Sequence, residues 1–181
     1  MWIGGSLIGR LADYHLYASA RRAGRARQIW AKLRCQQNQL LDLTTMAATC
    51  AIGDRRAAGT RIVPIQQIRG SEGHCEDFDA AFHPLKAHTE DRWLSVAKAN
   101  LRGRGLPPVE LIQVGEVYFV RDGHHRISVA AALGQQEIDA VVTVWQVTVP
   151  AQAQRADVER PQPHQSRAFL LRLARGSTAE V

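Results

Sequence analysis

The stretch VYFVRDGHHRISVAAAL, residues 117–133, decides the reading of this chain. Val117–Val120 is β-branched and aromatic, the composition of a short strand. Arg121-Asp122-Gly123 is a turn signal, since glycine accepts the positive φ that tight turns need. From about His125 to Leu133 the pattern becomes helical, with Ile127, Ala130 and Ala131 on one face and Gly134 as the stop. Just upstream, Val109–Val114 reads as a partner strand. Gly115-Glu116 between the two apolar runs suits a two-residue hairpin turn. Downstream, Ile138–Trp145 is a further β-branched strand.

A strand that turns through Asp-Gly into a helix beginning His-His-Arg is an anion-binding arrangement. The helix start presents unpaired N–H groups and the positive end of the helix dipole. Arg126 in the first turn adds a planar, bidentate donor for phosphate or carboxylate. Gly123 lets a ligand approach the backbone closely. Asp122, beside His124 and His125, can accept a proton, orient an imidazole or help hold a divalent cation. The same residues also have a plainer reading, in which Asp122 caps the helix and the two histidines sit half exposed without a task. From spacing alone both readings stand.

Working outward, Thr89 is the expected N-cap of a helix with Glu90 and Asp91 in its first turn. Trp93, Val96, Ala97 and Leu101 form its buried stripe, and Gly103 and Gly105 end it. Asp77-Phe78-Asp79 and Phe82 lie in a loop anchored by Phe78, ahead of Pro84. Arg61–Ile68 alternates as a short strand, either at a sheet edge or beginning near Pro64, which cannot donate to a ladder, and Gly70–Gly73 breaks the chain. Residues 44–60, with Gly53 and Gly59, read as a linker. Leu7–Leu43 is helical, with Gly24 as a weak point. These boundaries give a basic helical segment with linker at 1–60, a compact domain at 61–149, and a mobile tail at 150–181 with a short helix at Phe169–Leu173. The fold class expected is α+β, a small mixed sheet flanked by helices.

The net charge of +6 over 181 residues is unevenly placed. Residues 1–61 hold ten basic and three acidic side chains, whereas residues 62–150 hold eight and eleven. A basic segment of this kind attracts nucleic acid, or is an arginine-rich solvated helix face. Cys35, Cys50 and Cys75 are an odd number without paired spacing, which argues against a disulfide framework. No apolar run approaches the roughly 20 residues of a membrane span, and the first residues lack a secretory pattern. A cytoplasmic protein with no membrane partner is expected. His74, Cys75, His83 and His88, with His124 and His125, offer enough zinc donors, but no spacing matches a zinc finger or a His-x-x-x-His helix pair. Glu110 and Glu116 read as solvated, and Trp93 and Trp145 as core or rim residues.

The run 117–133 resembles the core motif of the ParB/sulfiredoxin-like superfamily. The resemblance extends from about Ile62 to Val147 and takes in Ile68–Gly73, Asp77–Asp79, Arg92-Trp93 and Leu106–Glu110. It implies a mixed sheet with a ligand phosphate at the helix start. Sulfiredoxins carry a nucleophilic cysteine where this chain has His124, and Cys75 lies in another segment. Partition-type ParB proteins bind CTP and continue into a DNA-binding module for which the residues after Trp145 look too poor in helix. The Asp-Gly-His-His-Arg block is most similar to the free-serine kinase branch. That likeness implies a nucleotide (ATP, ADP or CTP) with Mg²⁺ and phosphoryl transfer to a small hydroxyl substrate. Gly123, His124, His125 and Arg126 would bind phosphate, Asp122 would orient substrate or metal, and Glu72 would take the hydroxyl proton. The alternative is a DNA-associated regulatory or nuclease-like protein acting through residues 1–60. A third is an adaptor whose N-terminal helices dock a partner or form a homodimer.

Overall fold

Leu7–Leu33 forms a single 27-residue helix, α1. The computed structural model, which describes residues 7–49 and 51–148, continues with β1 (Leu41–Asp42), α2 (Leu43–Thr49), β2 (Ala51–Pro64) and a 3₁₀ turn at Ile65–Gln67. Next come β3 (Ile68–Ser71), a 3₁₀ turn at Ala87–Thr89, α3 (Glu90–Leu101), β4 (Val109–Val114), β5 (Val117–Asp122), α4 (His124–Ala132) and β6 (Glu137–Thr148). The strands make one six-stranded sheet in the order β1-β3-β5-β4-β6-β2. β1, β3 and β5 run parallel, β4 is antiparallel to β5, and β6 is parallel to β4. This is the α+β class with a mixed sheet that the sequence predicts.

Period-two alternation sorts the strands onto two faces. Val109 and Leu111 of β4, Tyr118 and Val120 of β5, and Ala140 and Val142 of β6 pack with Ile127 and Ala130 of α4 and with Phe78 and Phe82. The opposite face carries Ile112, Phe119 and Trp145 against Leu43 of α2. A third cluster joins the helices, with Tyr17 and Ala20 of α1, Trp93 and Ala97 of α3 and Val129 of α4. Trp93 is fully buried and its indole Nε1 donates to Ser128 Oγ at 2.8 Å. Buried indole N–H groups need such a partner, so this bond fixes α3 against α4.

The helix ends follow their capping chemistry. Gly134 takes a φ of 77°, its N–H donates to Ala131 O, and Gln135 N–H reaches Ala130 O at 3.0 Å. That is a Schellman stop. Cys35 ends α1 in the same manner with a left-handed φ of 51°, while Gln36 N–H donates to Ala31 O. The loop around Phe78 is capped by Asp79, a buried side chain whose Oδ1 accepts the backbone N–H groups of Ala81 and His83. Burial pushes its carboxyl up, but the hydrogen bonds from the His83 ring and backbone outweigh that and hold it below the usual range.

Several expectations are corrected. Residues 44–60 are not a linker but α2 and most of β2, so the boundary expected between 60 and 61 falls inside a strand. The break expected at Gly70 comes later, because Gly70 and Ser71 pair with β5. α1 ends at Leu33, not Leu43, and runs unbroken through Gly24. There a Cβ would lie 2.9 Å from His83 Cβ, so this glycine marks a close approach. Thr89 precedes α3 but its hydroxyl donates to Lys86 O at 2.7 Å and caps nothing. Leu101 is exposed. The tail and its expected helix at Phe169–Leu173 lie outside the described residues. Among the described residues, no helix is long and apolar enough to cross a membrane.

Gly70 is the tightest point of the sheet. A Cβ there would meet the Phe119 ring at 2.3 Å and Leu41 O at 2.6 Å. Gly70→Ala is expected to cost about 1–3 kcal/mol of stability, the range for overpacking. Gly105→Ala, where a Cβ meets nothing within 4 Å, should change little. Urea denaturation of both variants checks the difference.

Candidate functional site

β3 and β5 lie side by side and parallel, so the chain leaves both at the same end of the sheet. β5 continues through Asp122 and Gly123 into α4. Gly123 has a φ of 105°, and a Cβ on it would lie 2.6 Å from Val109 Cγ1. Conformation and space therefore both require glycine here. It occupies the N-cap position of α4, and no side chain caps the helix. The positive end of α4 is thus left to whatever enters the adjoining cleft.

That cleft has a volume of about 440 Å³. Its floor is Asp122 to Arg126, and its walls are Arg92, Ser95, Val96 and Ala99 from α3, Leu106 and Pro107 from the loop before β4, and His74. Arg92 is exposed and has no carboxylate partner among the described residues. Asp122 is the one carboxylate in the lining, and its Oδ2 accepts a hydrogen bond from Arg126 Nη2.

Arg126 is held more firmly than the sequence implies. Its Nη1 donates to Pro107 O at 2.7 Å and Pro108 O at 2.8 Å, while Nη2 is engaged by Asp122. The guanidinium therefore ties the loop before β4 to the start of α4. In this arrangement it shapes the cleft, with its terminal nitrogens already in use and its charge offset by Asp122.

The two histidines differ. His124 is buried, with Nε2 2.6 Å from Ser71 Oγ and its ring stacked on Phe78 at 6.0 Å. Ser71 Oγ also accepts from Gly73 N–H, so one hydroxyl ties the buried imidazole to the loop that follows β3. Burial, with the nearby His74 and His125, lowers His124 to about 4. It is neutral at pH 7 and supplies no cationic charge to a phosphate. His125 lines the cleft, edge-on to Phe78 at 5.4 Å, and its Nδ1 is buried without a hydrogen-bond partner. Burial first, then the charge of Arg92, lowers its pKa. It is a neutral imidazole facing a basic neighbour.

Glu72 sits elsewhere. It follows β3, its N–H donates to Val120 O at 2.9 Å, and its carboxylate accepts from Arg121 Nε at 2.9 Å. It does not line the cleft. Residues 122–126 are thus brought together, and Glu72 is not brought with them. Cys75 Sγ faces the carbonyls of Leu41, Ser71 and Gly73 at 3.8 Å, and burial pushes its thiol up, so it is no poised thiolate. Among the described residues, no group of three His, Cys, Asp or Glu side chains is placed to hold a metal ion.

Three contributors were not among the expected phosphate-site residues, although His74 was weighed as a zinc donor. Arg92 shares a helix flank with Ser95, Val96 and Ala99, at three-, four- and seven-residue intervals, one residue off the buried Trp93. That spacing was a usable signal. His74 has a left-handed φ of 54°, and its Nδ1 lies 2.9 Å from Asp77 Oδ2. Ser71 carried no signal, because its partner is 53 residues away in sequence.

No model of a known protein family matches this chain, and neither does any curated protein. Among solved structures, the crystal structure of sulfiredoxin from Arabidopsis thaliana is similar at 15% identity, covering 56% of this chain and 98% of that one. The TM-score is 0.37, a level at which the likeness carries no functional argument.

A buried neutral histidine couples stability to pH. His124 titrates near 4 when folded, against about 6.5 when exposed, so the unfolded chain takes up a proton that the native state refuses. Its effect is nil above about pH 7, and stability falls as pH drops from about 6.5 to 4, by up to roughly 3 kcal/mol. His125, also lowered, adds in the same direction. Urea midpoints at pH 7.5 and 4.5 check this, and His124→Gln should flatten the difference.

Proposed function

We propose that the cleft at the start of α4 binds a phosphate group, carried by a nucleotide such as ATP, ADP or CTP. The observation that carries this reading is the uncapped N-terminus of α4, opening beside the unpaired Arg92. Backbone N–H groups at a helix start complement phosphate oxygens, and a guanidinium without an internal partner adds a charge-assisted bond. Val96, Ala99, Leu106 and Pro107 give the same cleft an apolar wall for the body of such a ligand.

The arrangement also supports phosphoryl transfer to a small hydroxyl substrate. In that reaction the hydroxyl oxygen attacks the terminal phosphorus, the bridging P–O bond breaks, and the nucleotide leaves one phosphate shorter, as the diphosphate from ATP or CTP and the monophosphate from ADP. His125 is the group suited to take the hydroxyl proton, being neutral and in the cleft, whereas Glu72 is paired with Arg121. The start of α4 and Arg92 would stabilise charge on the transferring group. A Mg²⁺ ion finds one carboxylate here, Asp122, already paired with Arg126. It would be held chiefly by the nucleotide's own phosphate oxygens.

Thermal unfolding with ATP, ADP, CTP and GTP, each with and without Mg²⁺, tests the reading. A ligand at a hundredfold excess over its dissociation constant stabilises the folded state by roughly 2.7 kcal/mol. Arg92→Gln is expected to weaken binding tenfold or more while leaving the unliganded midpoint unchanged. Arg126→Ala should also weaken binding, through a reshaped cleft, with some loss of stability as Pro107 and Pro108 are released. A nucleotide shift that Arg92→Gln leaves intact would overturn the assignment of the cleft.

A further inference from the structure

A second basic hollow lies at the far end of α1, away from the residues of the cleft. Its volume is about 420 Å³, and its lining includes Arg27, Trp30, Arg34, Asn38 and Arg69. Local structure builds it. The left-handed Cys35 turns the chain back after α1, so Gln36, Gln37 and Asn38 return beside the last turns of the helix, and Arg69 enters from β3.

The chemistry of the lining is one-sided. It contains three arginines and no carboxylate, and none of the three has an ion-pair partner among the described residues. An arginine-rich helix end gains only tenths of a kcal/mol from the helix dipole, and Arg69 is not on the helix at all. Trp30 is 59% exposed, with the Arg34 guanidinium 5.5 Å from its ring centroid. The indole thus offers an open face for stacking, with one cation already over its ring. Asn38 Nδ2 is buried without a hydrogen-bond partner, and the exposed Gln36 and Gln37 line the same hollow.

We infer that this hollow binds single-stranded nucleic acid. Arg27, Arg34 and Arg69 meet successive phosphates, one base stacks on Trp30, and the exposed side chains of Gln36 and Gln37 reach base edges. Stacking on an aromatic ring between backbone-tracking arginines is the general means of holding unpaired strands. An acidic peptide would satisfy the arginines but leave Trp30 and the amides without a counterpart. A duplex keeps its bases stacked internally and cannot offer one to the ring. The proposal is independent of the cleft at α4, since none of these residues lines it.

Fluorescence anisotropy of the full chain with labelled dT12, rU12, a 12-base-pair duplex and poly-glutamate as competitor tests it. Binding to either single strand is expected, with a log–log salt slope near −2, as about three phosphate contacts give. Trp30→Ala should weaken it about fivefold or more. Arg34→Gln with Arg69→Gln should weaken it further and flatten the salt slope, while circular dichroism stays unchanged. Trp30→Ala should leave the nucleotide-induced thermal shift intact. The proposal is overturned by no binding of either strand at 50 mM salt, by preference for the duplex, by full competition from poly-glutamate, or by binding that Trp30→Ala leaves unaltered.

Discussion

The structure depends on the parallel pairing of β3 with β5. Gly70 has no side chain, so the Phe119 ring lies where any Cβ would be, and the two strands come into register beside it. Ser71 is then the last residue of β3 at the level of Val120, and α4 starts a few residues beyond. The Ser71–His124 hydrogen bond spans that gap. A shift of one residue in this pairing would reverse the faces of β3 and remove the Ser71 hydroxyl from His124.

The charge balance of the cleft follows from how its arginines are used. Arg126 is neutralised locally by Asp122 and by two carbonyl oxygens, so it acts as a brace between the loop before β4 and α4. Arg92 has no such duty. His124 and His125 are both kept neutral by burial, and so neither repels nor attracts an anion strongly at pH 7. Net attraction therefore comes from Arg92 and from the backbone of α4, two fixed elements joined by the Trp93–Ser128 hydrogen bond. A ligand would meet donors already in place.

Much of this was legible in the sequence because it is local. The hairpin Val109–Val114 with Val117–Val120, the Asp-Gly turn and the following helix all lie within a few residues of their signals. The loop anchored by Phe78 also behaves as its Asp-Phe-Asp pattern suggests, with Asp79 as its cap. β2 was hidden for a physical reason. An edge strand carries polar and charged residues, here Asp54, Arg55, Arg56 and Arg61, because its outer side faces water. Such a stretch lacks clear alternation and its two glycines suggest a linker. Gly24 misled in the opposite sense, since glycine lowers helix propensity but also permits the close approach of His83 and Leu85. Pairings such as Ser71 with His124, or Glu72 with Arg121, join distant segments and leave no local trace.

The strand order has a consequence for how this chain is assembled. β3 lies between β1 and β5, and β5 begins only at Val117, long after β3 has left the ribosome. During synthesis, the inner edge of β3 stays without its neighbour until residues 117–122 emerge. The local hairpin β4–β5 can close at once, whereas the parallel partners must wait for loop closure over long separations. Newly made chains therefore pass through an interval in which Ile68 and the N-terminal helices are exposed.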